Sequence, residues 1–428
     1  MKEEIKESRL DNGLVVLTDR MAGVRSATLG FFYRTGARNE PEELAGITHF
    51  IEHCVFKGTL KRSALEIAIE QDRLGGNLEA FTTHEETAFA IKVIDDQLEA
   101  AFDLLSDMLN DPTFDDRELE SEQRVIIEEM KMTEDSPEEF LGELFSRKFF
   151  PDDALGRSIV GTADTVRTFD REKTREYHAA HFHSGNLVIV AAGNVEHGRI
   201  LDLADQLKTS HTSVSRDKSQ PKLEIKTAAP IIVHQKPDLE QAHLILGLPI
   251  VSARDERRYA ADLLTNIVGG GMSSRLWQKI REERGLAYSV GASAAMYLDV
   301  GVFTIFAGTS PEQTSEVVDI SIAELRDVVK NGVSKQELDL AKHQARASVL
   351  MSLEDSASRA AALAQSEMVH ERQISVAETL ARIEDVTVDE TVDLAREYFK
   401  TERIAMAAIG DLTHLPADRS LLAKKEEN

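Results

Sequence analysis

The sequence predicts an α+β protein made of two homologous repeats, each an antiparallel-rich sheet covered by helices. Three observations lead there. The chain has 428 residues, more than one core of roughly 150 residues accommodates. A helix, an apolar strand and a turn recur at a constant offset of 217 residues. Within each half, long amphipathic helices stand beside hairpin-like strands without a strict βαβ rhythm, the pattern of helices layered on a largely antiparallel sheet.

The recurrence is the most specific of the three. Residues 186–195 (NLVIVAAGNV) and 403–412 (RIAMAAIGDL) are apolar runs, each ended by Gly plus Asn or Asp, a turn signature. At the same offset, the amphipathic stretch 171–182 lies over 388–399. A short strand recurs by chance; a helix, a strand and a turn at one offset point to duplication. In the first half, Leu14–Leu17, Ser26–Tyr33 and Ala88–Val93 have strand patterns, while Ile47–Phe56, Ala64–Arg73, Gln97–Leu109 and Arg117–Thr133 have helical periodicity. The polar run KTSHTSVSRDK at 208–218 has no periodicity and reads as a linker. The expected division is therefore a first repeat at 1–210, a linker at 211–226 and a second repeat at 227–428.

Composition excludes several classes. A formal net charge of −25 disfavours a binder of nucleic-acid backbones, so no nucleic-acid partner is expected. The single cysteine, Cys54, cannot form an intrachain disulfide. No apolar run approaches the roughly 20 residues that span a bilayer, and the charged start Met1–Lys6 lacks a signal-peptide core. A cytoplasmic protein without a membrane partner is expected.

The segment His49-Phe50-Ile51-Glu52-His53 carries the chemistry. On a helix, residues four apart share a face, so both imidazoles reach one ion. Glu52 sits beside that face, placed to take a proton from a water at the metal. This HxxEH order is the inverse of HExxH and defines its own metallopeptidase class. Apolar flanks bury the helix, where unpaired histidines are uncomfortable. A third ligand is needed. The glutamates 118, 120, 122, 128 and 129 all lie on one acidic helix; Glu122 and Glu129, seven apart, share a face, but spacing alone does not choose among the five.

The chain resembles the M16 zinc peptidases, the inverzincin family of mitochondrial processing peptidase, insulin-degrading enzyme and pitrilysin. The similarity runs through 49–59 (HFIEHCVFKGT), 74–89 (LGGNLEAFTTHEETAF), 120–130 (ESEQRVIIEEM), 155–161 (LGRSIVG) and 269–290 (GGGMSSRLWQKIREERGLAYSV). It implies the LuxS/processing-peptidase-like metallohydrolase fold. It also implies one Zn2+ per chain on His49, His53 and Glu129, with Glu52 as general base and Glu122 orienting a ligand. Arg281 and Tyr288 are implied to bind the substrate backbone and stabilise the oxyanion, and Leu78, Glu79, Ala80, Phe81 and Thr82 to form an edge strand that takes an extended peptide. Glu79 stands where the family usually has Asn, which puts one substrate contact in question. Placing 268–270 over 56–58 sets Ala261, Leu264 and Thr265 against the three motif residues, so the second repeat is expected to hold no metal.

The implied activity is zinc-dependent endoproteolysis of unfolded or presequence-like peptides in a clamshell chamber. The implied assembly is a homodimer, or a heterodimer with an M16 paralogue, with the Arg/Tyr pair of one subunit serving the zinc of the other. The alternative is a weakly active or presenting subunit of a heteromeric M16-type complex.

Overall fold

The computed structural model describes residues 3–207 and 225–422. Most of the linker expected at 211–226 lies outside them. The chain forms two compact units: Met1–Met132 with Arg157–Leu223 and Leu350–Val376, and Thr133–Gly156 with Glu224–Val349 and Ala377–Asn428.

In the first unit, strands β1 (Ile5–Arg9), β2 (Val15–Arg20), β3 (Ser26–Tyr33), β4 (Asn77–Thr82), β5 (Thr87–Ile94) and β6 (Leu187–Gly193) form one sheet in the order β1-β2-β6-β3-β5-β4. All neighbours are antiparallel except β2 and β6. In the second, β7 (Ile231–Gln235), β8 (Ala242–Ile250), β9 (Ala287–Met296), β10 (Gly301–Thr309) and β11 (Ala405–Gly410) follow the order β7-β11-β8-β10-β9. Here too a single pair, β7 with β11, is parallel. Matching β2 to β7, β6 to β11, β3 to β8, β5 to β10 and β4 to β9 superimposes the two plans, sense included; β1 is an extra edge strand. The fold is the duplicated α+β architecture.

Central strands are buried on both faces, so they read as continuous apolar runs: every residue of β6 and β11 is buried. In the first unit, one sheet face packs on the helices Ile47–Cys54, Leu98–Asn110 and Arg171–His181, with Phe31, Phe50, Phe89 and Phe102 at its centre. The other face takes the helix Ser356–His370 through Leu363, Ala364 and Met368, although that helix lies far along the chain. Ion pairs to two buried carboxylates, Asp19 and Glu367, fix it there. Arg359 donates to Asp19 at 2.7 Å, and Glu367 accepts from Arg9 at 2.7 and 2.9 Å and from Arg34 at 2.6 Å. In the second unit, the helix Pro137–Phe149 plays the corresponding part, its Leu141, Phe145 and Phe149 packing with Ala405, Ala407 and Ile409. Gly247 of β8 leaves the room Phe145 occupies; a Cβ there would lie 2.1 Å from its ring.

Arg275, ahead of β9, pins the second unit's loops. Its guanidinium donates to Glu337 at 2.6 and 3.1 Å, to Asp327 at 2.9 Å and to the Gly332 carbonyl at 3.0 Å. Burial works against the Glu337 carboxylate, but Arg275 and Ser334 outweigh it and hold its pKa at about 2. A carboxylate depressed on folding contributes stability above its unfolded pKa and loses it as pH falls through the folded one. Glu337→Gln is therefore expected to cost about 2–3 kcal/mol at pH 7, with the deficit shrinking from near pH 4.5 and vanishing toward pH 2. Urea midpoints of both proteins across that range check it; a deficit independent of pH would refute the assignment.

Candidate active site

The helix Ile47–Cys54 is short and almost wholly buried, so its exposed-end chemistry needs internal partners. It begins at Gly46, in the left-handed region at φ 95°. A side chain there would drive its Cβ to 2.6 Å from the Val160 carbonyl oxygen, so glycine is needed both for the turn and for the contact with the 160–161 loop. Glu40, itself buried, accepts from the Gly46 and Thr48 backbone N–H groups at 2.7 and 2.8 Å. These satisfy donors that a helix leaves orphaned. Burial pushes the Glu40 carboxyl up to about 7, against the pull of those donors.

One turn on, His49 and His53 bring their rings to 4.5 Å between centroids. The Nε2 atoms of both lie 3.8 Å from Glu129 oxygens, His49 from Oε1 and His53 from Oε2. Ligand atoms of the three residues all fall within 4.8 Å of one another, and among the described residues no other group of three His, Cys, Asp or Glu side chains meets that condition. The carboxylate comes from the helix Asp116–Asp135, which also supplies Glu122. Spacing had left five glutamates open; the fold turns Glu122 and Glu129 toward the histidines. Glu128 pairs with Lys131 at 2.6 Å instead.

The electrostatics suit a metal. Burial, then the neighbouring His53, holds the His49 pKa down at about 3, so its imidazole is neutral and offers a lone pair at any working pH. His53 is also desolvated, yet Glu122 outweighs this and raises it. The His53 Nδ1–H donates to Glu122 Oε1 at 2.9 Å, and Lys57 Nζ donates to Glu122 Oε2 at 2.7 Å. Burial disfavours the Glu122 charge, but these two partners win and its pKa lies below the ordinary carboxylate value. The bond fixes the tautomer that leaves Nε2 facing Glu129. Glu129 Oε2 is buried without a hydrogen-bond partner, a cost of a few kcal/mol unless something cationic meets it. Two imidazole nitrogens, that of His53 freed when an incoming ion displaces its Nε2 proton, and one carboxylate with an orphaned oxygen fit a tetrahedral divalent ion with a fourth position open.

Glu52 is buried beside this cluster, and Thr82 of β4 donates its hydroxyl to Glu52 Oε2 at 2.6 Å. Burial raises the Glu52 carboxyl above its ordinary value while Thr82 pulls it back. β4 is the last strand of its sheet, so one edge beside Glu52 has no strand partner among the described residues. Glu79 and Phe81 are exposed; Leu78 is buried and Ala80 half-buried. Glu79 accepts from the Asn77 side chain at 2.8 Å and makes no contact with the His49/His53/Glu129 cluster. Cys54 is a buried packing residue. Among the other histidines of this unit, His183 caps Gly185, whereas His178 is packed, stacked on Phe182 and bonded to the Leu109 carbonyl, with its pKa lowered to about 4 by burial.

In the second unit, Arg281 belongs to a π-helical turn, Trp277–Glu282, and Tyr288 to the edge strand β9. Arg281 Cζ lies 4.6 Å from the Tyr288 ring centroid, and Tyr288 is 79% exposed. Ala261, Leu264 and Thr265 sit buried in the helix Arg258–Gly269, with Thr265 bonded back to the Ala261 carbonyl. Lys57 and Trp277 were not singled out from sequence. Lys57 is four residues past His53, a helical spacing that carries a signal only once Glu122 is known to lie nearby.

Comparison with known proteins accords with this arrangement. Residues 15–163 match the family described as Insulinase (Peptidase family M16), and residues 168–345 the Peptidase M16 inactive domain. An uncharacterized zinc protease of Streptomyces coelicolor is 36% identical over 97% of this chain and 91% of its own length. The chain belongs to peptidase family M16. A second such protein, from Bacillus subtilis, is 34% identical over 96% of this chain and all of its own. Among solved structures, a protease from Helicobacter pylori superimposes with a TM-score of 0.87 at 22% identity, covering 96% of this chain and 100% of that one. A peptidase M16 inactive domain from Pseudomonas fluorescens gives the same score at 18% identity over 95% and 98%. At these identities the two structures speak for the fold.

Because Glu122 bonds His53 at Nδ1, away from the Nε2 that faces Glu129, Glu122→Gln is expected to weaken zinc binding about 10–100-fold while leaving the fold intact. Competition against a chromogenic chelator measures it, and unchanged affinity would count against the orienting role.

Proposed function

We propose that this M16 protein is a zinc-dependent endopeptidase that cleaves extended, unfolded peptides. The observation that carries the reading is the convergence of His49, His53 and Glu129 within 4.8 Å, with the buried Glu52 carboxylate alongside. The names of its relatives, zinc proteases, support the same metal. Bound zinc, one per chain, supplies a Lewis acid that polarises the scissile carbonyl and acidifies a water.

The chain's own residues do the rest. His49 offers a neutral nitrogen, His53 the Nε2 that binding of the ion would deprotonate, and Glu129 a carboxylate oxygen. Glu122 keeps the His53 ring in register. Glu52 takes the proton of the attacking water on its free oxygen, while Thr82 holds the other, and delivers that proton to the departing amine nitrogen. A peptide added to the β4 edge through main-chain hydrogen bonds would place its carbonyl near Glu52, with little demand on sequence. Arg281 and Tyr288 are read as donors to the peptide and to the developing oxyanion. The negative charge of the chain favours basic substrates through a salt-sensitive attraction.

Glu52→Gln is expected to retain zinc and lower cleavage of a quenched peptide about 10²–10⁴-fold; undiminished turnover with metal in place would overturn the mechanism. We further infer a dimeric assembly, with a second copy or a paralogue, in which the pair from one subunit serves the zinc of the other. Mixing Glu52→Gln with Tyr288→Phe subunits should then restore part of the activity that each lacks. No recovery in a heterodimer proven by native mass spectrometry would sink the shared site.

A further inference from the structure

Two arginines of the 269–290 segment are held in opposite ways. Arg275 directs its donors into Glu337, Asp327 and the Gly332 carbonyl. Arg281 makes no side-chain hydrogen bond among the described residues; its one ionic neighbour, Glu282, stands 3.9 Å away. Arg281 is held by its π-face instead. Its Cζ lies 4.1 Å from the Trp277 ring centroid as well as 4.6 Å from that of Tyr288. The indole is itself fixed, half-buried against the second unit's core, with Nε1–H donating to Glu282 at 3.1 Å. The turn is π-helical, a local widening that frequently marks functional sites.

Stacking restrains a guanidinium without consuming its N–H edge, whereas a carboxylate partner would consume that edge. An arginine so held keeps its five donors for a ligand, and pre-orientation lowers the cost of ordering it on binding. We propose that Trp277 is the positioning residue for Arg281, holding the guanidinium so that its free donors meet a main-chain carbonyl oxygen of the peptide. This rests on the reading above that Arg281 contacts substrate.

Trp277 is also the only tryptophan of the chain, so its fluorescence reports this position alone. In Glu52→Gln protein, adding a peptide should change tryptophan emission in a saturable way. Emission that stays constant, while anisotropy of a labelled peptide shows saturation, would overturn the proposal. In otherwise native protein, Trp277→Leu is expected to lower kcat/KM about tenfold, the scale of one cation–π contact, and Trp277→Phe to recover most of it. In an Arg281→Ala background, Trp277→Leu should cost nothing further. Equal losses in both backgrounds would reduce Trp277 to a packing residue and refute the proposal. A sensitive Arg281→Ala with an insensitive Trp277→Leu would remove only the role of Trp277. An Arg281→Ala protein with unchanged kcat/KM would remove the substrate role of the Arg/Tyr pair itself. Should Trp277→Leu fail to fold, Trp277→Phe and the emission measurement still decide.

Discussion

The pair of hydrogen bonds from Gly46 and Thr48 to the buried Glu40 carboxyl underlies the arrangement of His49, Glu52 and His53. An eight-residue helix has little stability of its own in water, and this one must stay buried while carrying two imidazoles and a carboxylate. Its orphan N–H groups cannot reach solvent, so an internal acceptor has to meet them. Glu40 does so, and the tight approach of Gly46 to the 160–161 loop sets the angle at which the helix enters. His49, Glu52 and His53 then share one wall because they share one turn.

From that wall outward, each polar group is held by a group of opposite character. His53 is bound to Glu122, Glu122 to Lys57, and Glu52 to Thr82. Such a chain is stable in a low-dielectric setting only when nearly every member is satisfied. The exceptions, Glu129 Oε2 and His49 Nδ1, mark where the protein alone does not complete the network. The second unit shows what the same strand plan does without these demands. Ala261, Leu264 and Thr265 let the equivalent helix pack as plain core, while the Trp277 turn and β9, the counterpart of β4 in sheet order, bring Arg281 against the Trp277 and Tyr288 rings.

The two sheets are also covered in a way that repeats alone do not require. The helix Ser356–His370 belongs to the first unit and Pro137–Phe149 to the second, so each sheet takes one covering helix from the other half of the sequence. Around Ser356–His370 the contacts include ion pairs to the buried carboxylates Glu367 and Asp19. Buried pairs contribute little net stability, but removing one partner is costly. They specify where the helix docks more than how strongly it does.

The amino-acid sequence by itself determined the repeats, most helices and central strands, and the HxxEH cluster, because these depend on periodicity and on contacts within one or two helical turns. The apolar runs 186–195 and 403–412 became β6 and β11, and the helices expected at 171–182 and 388–399 end within a residue of that reading. Helical spacing did not choose among the five glutamates, which the resemblance narrowed to Glu122 and Glu129. Only the tertiary structure decided that both turn toward the histidines, that Lys57 bonds Glu122 and Thr82 bonds Glu52, that the covering helices cross between halves, and that Trp277 rather than a carboxylate holds Arg281. Each of these joins groups distant in sequence or packed face to face. Side-chain periodicity records which face of an element is buried, but not what is buried against it.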